Sequence, residues 1–485
     1  MGCICRQNRG SSVTRGRSGA ACARRGIRGQ SPSWLFLGVR WRVYTPGHGR
    51  ILYRRGRPSI LGRAEPASRT QPAAGSFKDV MAEPAVRVGV GVTLVIMLGY
   101  GLIVPVLPLY ARSFGVGRTE VGVLMMSFGL MRLLFDLVAG PMVDRFGERF
   151  TATTGAIAVG VSSALSAIAP SFLALVLFRA LGGAGSSLLF AAVMNHLVRA
   201  VPPHRMARTM SFFYSSFLLG TVLGQPIGGA IAEVLGLAAP LWFYAASCFI
   251  CAGLTFRKLS HRSPGIRDAE EMSTAEVLAE SETRLPSAWG TIRGLLSDRA
   301  FVAALAANTA LFWVLGAVRM TLAPLFAEER VGLSEAGIGA LLGTASVAQF
   351  LMMWKAGALA DSRGRRVVLI PALAALTVST ALLGWAGSVV SLVAVMAALG
   401  VATGFAAVVP AAVVADVAPK ASSGTAVGAY RFAGDVGFVL GPLIGGMVAD
   451  AAGFGPAFLV TALPVSAALV LAVGMPETLR RARAR

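Results

Sequence analysis

The sequence predicts an all-α membrane protein of twelve transmembrane helices in two six-helix bundles, and three observations predict it. Of 485 residues, 55 % are hydrophobic and only 14 % charged, with a mean hydropathy of +0.67. A soluble globule needs about 25 % charge. From Val88 onward the chain becomes a series of apolar stretches, each of about 20 residues or more and so long enough to cross about 30 Å of hydrocarbon. The charged loop Gly140-Pro-Met-Val-Asp-Arg-Phe-Gly-Glu-Arg149 then returns as Gly357-Ala-Leu-Ala-Asp-Ser-Arg-Gly-Arg-Arg366, with Asp144 and Asp361 217 positions apart, as an internal duplication requires.

The spans are expected at about 88–110, 120–141, 152–170, 172–196, 210–233, 238–257, 301–325, 333–357, 367–387, 389–415, 424–449 and 455–475. Residues 81–257 then form the N-terminal bundle, 258–300 a cytoplasmic central loop, 301–478 the C-terminal bundle and 479–485 a basic tail. The central loop carries an acidic patch, Asp268-Ala-Glu-Glu271, a short surface helix at 275–280, and an interfacial amphipathic lead-in at Trp289-Gly-Thr-Ile-Arg-Gly-Leu-Leu296. Lys and Arg set the orientation: 21 fall in the loops and tail on the side of the two charged loops, against Arg112, Arg118 and Arg330 on the other. Both termini and both charged loops are therefore expected in the cytoplasm, with the chain in the cell membrane.

Residues 1–80 hold 16 Lys and Arg against Glu65 and Asp79 and show no helical periodicity. The net charge of +22 falls to +8 without them, and bases flanking the spans explain that remainder, so no nucleic-acid partner is expected. Three readings of the leader stay open: a disordered cytoplasmic tail, an Arg-rich targeting peptide, or an upstream extension of a frame that starts at Met81. An extension or dispensable tail is favoured. Cys3, Cys5 and Cys22 lie in the leader, while Cys248 and Cys251 form a lone CxxC inside a span and are read as ordinary packing residues, with no metal site.

Further pairs keep the offset to within one residue. Pro108-Leu-Tyr-Ala111 recurs as Pro324-Leu-Phe-Ala327, and Gly183 maps to Gly400. Gly220-x-x-x-Gly224-Gln-Pro226-Ile-Gly228-Gly229 maps to Gly437-x-x-x-Gly441-Pro442-Leu-Ile-Gly445-Gly446. Glycines four apart let helices approach closely and proline bends them, so a packing seam is one role for these strings.

The two charged loops resemble the signature loop of the major facilitator superfamily, G-x-x-x-D-R-x-G-R/K-R/K. In the first, Gly140, Asp144, Arg145, Gly147 and Arg149 fit, but Glu148 stands where a base is usual; in the second, Gly357, Asp361, Gly364, Arg365 and Arg366 fit, but Ser362 and Arg363 depart. The glycine strings resemble the antiporter motif of exporter branches, G-x-x-x-G-P-x-x-G-G, completely in the second copy and with Pro226 one place late in the first. Phe178-Arg179-Ala-Leu-Gly-Gly183-Ala-Gly185 is similar to the family's R-x-x-x-G-x-G string, whose Arg is linked in relatives to proton coupling. The resemblance, over about residues 85–478, implies a monomeric secondary transporter of the drug:proton antiporter branch, whose two bundles rock about a central site and which needs no cofactor.

Charged residues inside spans are functional by default. Arg132, Asp136, Gly140 and Asp144 lie four apart on one face of helix 2, and Arg431 and Asp435 lie four apart on helix 11. Either Arg132 and Asp136 neutralise each other, or Asp144 accepts hydrogen bonds from the positive N-terminus of helix 11 and latches the bundles on the cytoplasmic side, favouring an outward-open state. Gating is assigned chiefly to 140–149 and positive-inside anchoring to 357–366. Arg179, whose counterpart is the neutral Met396, and Arg319 are coupling candidates; a structural donor to carbonyls is the other role open to Arg179. Lys355 is expected to snorkel to the surface. With no acid in the cores of helices 1, 4 and 7, Asp136 and Asp435 are the candidate proton carriers.

Cavity candidates are Tyr100, Phe212, Phe213, Tyr214, Phe312, Trp313, Tyr430 and Phe432, aromatics suited to apolar or cationic compounds. His48, His196, His204 and His261 are far apart, and GxSxG, HExxH and Walker strings are absent, so neither an enzyme nor an ATP-driven pump is expected. The sequence thus points to proton-coupled efflux of small amphipathic compounds. Uptake of sugars or organic anions, with Arg179 or Arg319 binding substrate, and a transport-inactive scaffold or sensor remain as alternatives.

Overall fold

The computed structural model describes residues 83–201, 203–259, 288–418 and 423–479. The expectations for the leader, a start at Met81, a helix at 275–280 and the tail beyond residue 479 lie outside those residues.

Twelve membrane-length helices form two six-helix bundles. They are α1 Pro84–Ile103, α2 Arg118–Phe146, α3 Glu148–Ala167, α4 Phe172–Ala200, α5 Thr209–Leu235, α6 Ala239–Lys258, α7 Arg299–Glu329, α8 Glu335–Arg363, α9 Arg365–Trp385, α10 Val389–Val417, α11 Thr425–Ala452 and α12 Phe454–Val473. Local chemistry sets several ends: Ser171, Ser334 and Ser388 cap α4, α8 and α10 through their hydroxyls. The span expected at 88–110 is interrupted. Pro105 cannot donate and clashes one turn back, so α1 ends at Ile103 and a short helix, Leu107–Arg112, follows. In α7, Leu315–Leu322 is π-helical, and the Thr321 hydroxyl donates to Gly316 O at 2.9 Å. The amphipathic lead-in is a helix, Ala288–Leu296.

The glycine strings are seams. Gly220, Gly224 and Gly228 lay α5 on α1, and a Cβ at Gly228 would come 2.5 Å from Leu102 Cα. Gly437 and Gly441 lay α11 on α7, where a Cβ at Gly441 would come 2.8 Å from Trp313 O. The last glycine of each string turns to the other bundle: Gly229 faces Gly339 of α8, and Gly446 faces Thr119 of α2. Replacing Gly228 by valine is expected to cost at least the about 1–3 kcal/mol of overpacking. An unchanged Tm of the solubilised protein would contradict so close an approach.

The bundles pack most closely toward one end. In α2 nearly every residue from Val121 to Gly129 that faces protein is buried, whereas beyond it only Ala139 and Val143 are, and Leu137 is 72 % exposed. Gly122 and Gly129 sit against Pro442 and Phe438 of α11, but nothing lies within 4 Å of a Cβ at Gly140 or Gly428. The structure is therefore closed at the end remote from the signature loops and splayed at the signature-loop end.

Candidate functional site

Between the bundles, on the closed side of the midplane, lies a cavity. Tyr100, Met125 and Phe128 line it from the N-terminal bundle and Met320 and Phe438 from the other, with Arg179 in its wall. The Tyr100 hydroxyl donates to Met320 Sδ at 3.4 Å, joining the bundles across it. Of the eight candidate aromatics, Tyr100 lines this cavity. The others do not: Trp313 is buried in the α7–α11 seam, Phe213 is buried, Phe212, Phe312 and Tyr430 are half-buried, and Tyr214 and Phe432 are more than half exposed. Aromatic character alone does not distinguish a lining residue from a seam residue. Nothing in the spacing of Phe128, Met125 and Phe438 marks them as walls of the cavity.

Below the cavity, two acid–base pairs join α2 to α11. Arg132 donates to Asp435 Oδ1 at 2.5 Å, and Arg431 stands 4.0 Å from Asp136, with its guanidinium over Phe190. Asp136 also accepts the Ser187 hydroxyl of α4. The neutralising pair expected within α2 is thus not the pairing found. The antiparallel register that sets Gly129 against Phe438 carries Arg132 to Asp435 and Asp136 to Arg431, so both charges of each helix are answered from the opposite bundle.

The expected latch between Asp144 and α11 is not made. Asp144 is bound 3.0 Å away by Arg199, from the end of α4 in its own bundle, and the start of α11 has splayed away. An outward-open state held by that latch is accordingly not what this structure shows. Arg199 also approaches Glu148 at 3.9 Å, which His196 Nδ1 contacts at 2.8 Å, while Arg145 and Arg149 stack over Phe146 and Phe256. In the second copy Arg365 binds Asp361 at 2.5 Å and Asp416 at 3.2 Å. Glu148 and Arg365, like Arg199 and Asp416, are related by the 217 offset. The two loops therefore build the same acid–base–acid triad with the charges exchanged between loop and helix end, and residues 357–366 are as much an ion-pair network as 140–149. Gly147 and Gly364, at φ +84° and +118°, make the turn that permits it.

Glu477, just beyond α12, accepts the N–H groups of Arg365 at 2.8 Å and Arg366 at 3.0 Å and so caps α9. Burial pushes its carboxyl up, but N–H donation from Leu479, Arg365, Arg366 and Thr478 outweighs that and holds it below the ordinary value. A depressed acid stabilises the fold above its unfolded pKa, about 4.3, and loses that contribution as pH falls through the folded value. Glu477→Gln is expected to lower Tm at pH 7 and to match wild type in acid below both values; a Tm difference independent of pH would contradict the cap.

The closed end carries a second, pseudo-symmetric device. Asp450 of α11 accepts the N–H groups of Arg118 at 3.0 Å and Thr119 at 2.7 Å, capping α2 of the opposite bundle. Glu233 of α5 accepts the N–H of Ala336 at 3.0 Å, capping α8 across the same interface. Glu233 and Asp450 are again 217 apart. Arg118 reinforces the first cap through Glu329 and the Ala449 carbonyl, and it lies over Phe454.

The membrane-embedded bases sort by partner. Arg319 donates to Gln349 Oε1 at 2.7 Å and to Ser346, whose hydroxyl donates to Gln225 Oε1 at 2.7 Å, so the Gln225 that displaces the motif proline links α5 to α8. Lys355 is exposed. Arg179 is 2 % exposed, and its Nε and Nη1 have no hydrogen-bond partner, which removes the donor-to-carbonyl role for those atoms. Cys248 and Cys251 are buried thiols, and no cluster of three or more His, Cys, Asp or Glu among the described residues could hold a metal.

The family model described as the Major Facilitator Superfamily matches residues 90–321 and 309–484. Over 365 residues the chain is 22 % identical to an uncharacterized MFS-type transporter of Methanocaldococcus jannaschii, covering 74 % of this chain and 90 % of that one. It is 30 % identical over 139 residues to the quinolone resistance protein NorA of Staphylococcus aureus, a match spanning 29 % of this chain and 36 % of NorA. Two solved structures share the fold at 14 % identity. A bacterial homolog of the human lysosomal transporter Spinster, inward-facing and unoccupied, gives a TM-score of 0.65 over 84 % of this chain and 98 % of that one. The nucleoside transporter NupG gives 0.64 over 81 % and 99 %.

Proposed function

The chain belongs to the Major Facilitator Superfamily, a membrane transporter and not an enzyme, and on that premise we propose that it exports small amphipathic compounds in exchange for protons. The observation that carries the reading is the pair of acid–base contacts between α2 and α11, because both carboxylates lie on the surface along which the bundles must move. Asp435, 4 % exposed, is the proton carrier. A proton on Asp435 cancels its attraction for Arg132, so occupancy by a proton and closure of the signature-loop end become linked equilibria. Asp136, backed by Ser187 and more open to the crevice, holds Arg431 in register.

The excess of bases at the signature-loop end supports a cytoplasmic location for that end and for both termini, in the cell membrane. The state described then opens to the cytoplasm, where an exporter loads its substrate. The glycine strings and the partial likeness to NorA favour export over uptake. The protein works as a monomer, with its two bundles supplying the whole path. Expression in a host lacking its own exporters is expected to lower accumulation of at least one dye in a panel of anionic, neutral and cationic amphipathic dyes. Raised accumulation would overturn the direction.

A further inference from the structure

We infer that the central cavity recognises organic acids, an apolar or aromatic body bearing one carboxylate that pairs with Arg179. The inference rests on the reading that this cavity is the transport site.

Arg179 stands apart from the other cations of the interface. Arg132, Arg431, Arg118, Arg199 and Arg365 each meet a carboxylate, and Arg319 spends two of its nitrogens on Ser346 and Gln349. Arg179 has no ion pair among the described residues, its Nε and Nη1 are buried without a partner, and it forms part of the cavity wall. The Phe128 ring lies 4.9 Å from its guanidinium carbon. A cation–π contact is worth about 2 kcal/mol when desolvated, whereas an unpaired buried ion costs several kcal/mol. The deficit is met by a counter-charge that arrives with the ligand.

The surroundings define the rest of that ligand. Tyr100, Phe128 and Phe438 give flat walls, and Met125 and Met320 adaptable ones, as small-molecule sites lined by apolar and aromatic side chains do. No carboxylate lines the cavity, so a cationic compound would meet Arg179 with nothing to offset the repulsion. A planar guanidinium donor fork matches a carboxylate in particular. A neutral polar substrate would leave the charge uncompensated.

The test uses the full chain in lipid nanodiscs and three probes with one body: naphthoate, its methyl ester and naphthylmethylammonium. Naphthoate is expected to raise Tm and to bind at least about tenfold more tightly than either of the others, a difference of about 1.4 kcal/mol. Arg179→Gln is expected to abolish the preference, and Arg179→Lys to keep part of it. Should Arg179→Gln fail to fold, the ranking on wild type still decides. Equal Tm shifts by the three probes, including none, an equal shift by sodium chloride alone, or a preference that survives in Arg179→Gln would overturn the inference. Failure of the export reading looks different: naphthoate would bind through Arg179 while the expressing host retained every dye of the panel, anionic ones included. Dye export without charge preference in the cavity would leave export standing and remove the acid.

Discussion

Asp435→Asn alone is expected to destabilise the protein near the lower end of about 3–5 kcal/mol, the range for removing one partner of a buried ion pair, and Arg132→Gln made with it is expected to recover most of that loss. The lower end applies because the Arg132 side chain is 31 % exposed while that of Asp435 is 6 % exposed. Asp435→Asn leaves a guanidinium facing a neutral amide; the double substitution leaves two amides that can hydrogen-bond each other. Asp136→Asn is expected to cost far less, about 0.2–1 kcal/mol, since Arg431 stands 4.0 Å away and is 44 % exposed. Urea or thermal unfolding of wild type, Asp435→Asn, Arg132→Gln and the double variant closes the cycle. Additive losses in the double variant would mean that the two residues do not act as a pair.

Removing the interlocking caps at the closed end is expected to move the population rather than unfold the chain. Asp450→Ala and Glu233→Ala together strip the N-termini of α2 and α8 of their acceptors from the opposite bundle. Losing both caps removes acceptors that hold the two bundles together at this end, so the balance between end-states is expected to shift severalfold. Spin labels at Ser113 and Arg330, both exposed and on opposite bundles at that end, report it directly. The distance distribution is expected to gain a longer component in the double variant. A distribution unchanged from wild type would show that the close-packed glycines, Gly122 and Gly446 foremost, hold the end without the caps.

The scaffold was legible in the sequence because hydrocarbon imposes span length and duplication imposes a constant offset. The same offset holds signals that motif templates pass over: Glu233 with Asp450, and Arg199 with Asp416, are found by asking which charges recur 217 residues later. Glu148 looks like a defect in the signature loop until Arg199 is seen to carry the displaced positive charge. Pairing between helices was harder to read. Spacing along α2 shows that Arg132 and Asp136 share a face, but their true partners depend on the antiparallel register of α11, which no local pattern encodes. The π-turn that surrounds Arg319 is equally silent, since its residues are ordinary helix formers. Which end of the interface is closed is beyond local pattern altogether, because one sequence must support both states. The Asp144 latch and the two trans caps are alternatives, and the caps are the set made here.

Compound-driven proton movement in inverted membrane vesicles tests the coupling most directly, with wild type and Asp435→Asn challenged by the same panel of amphipathic compounds. Wild type is expected to release lumenal protons when an exported compound is added, and Asp435→Asn to stay at the level of vesicles lacking the protein. Equal proton movement by the two would contradict Asp435 as the carrier.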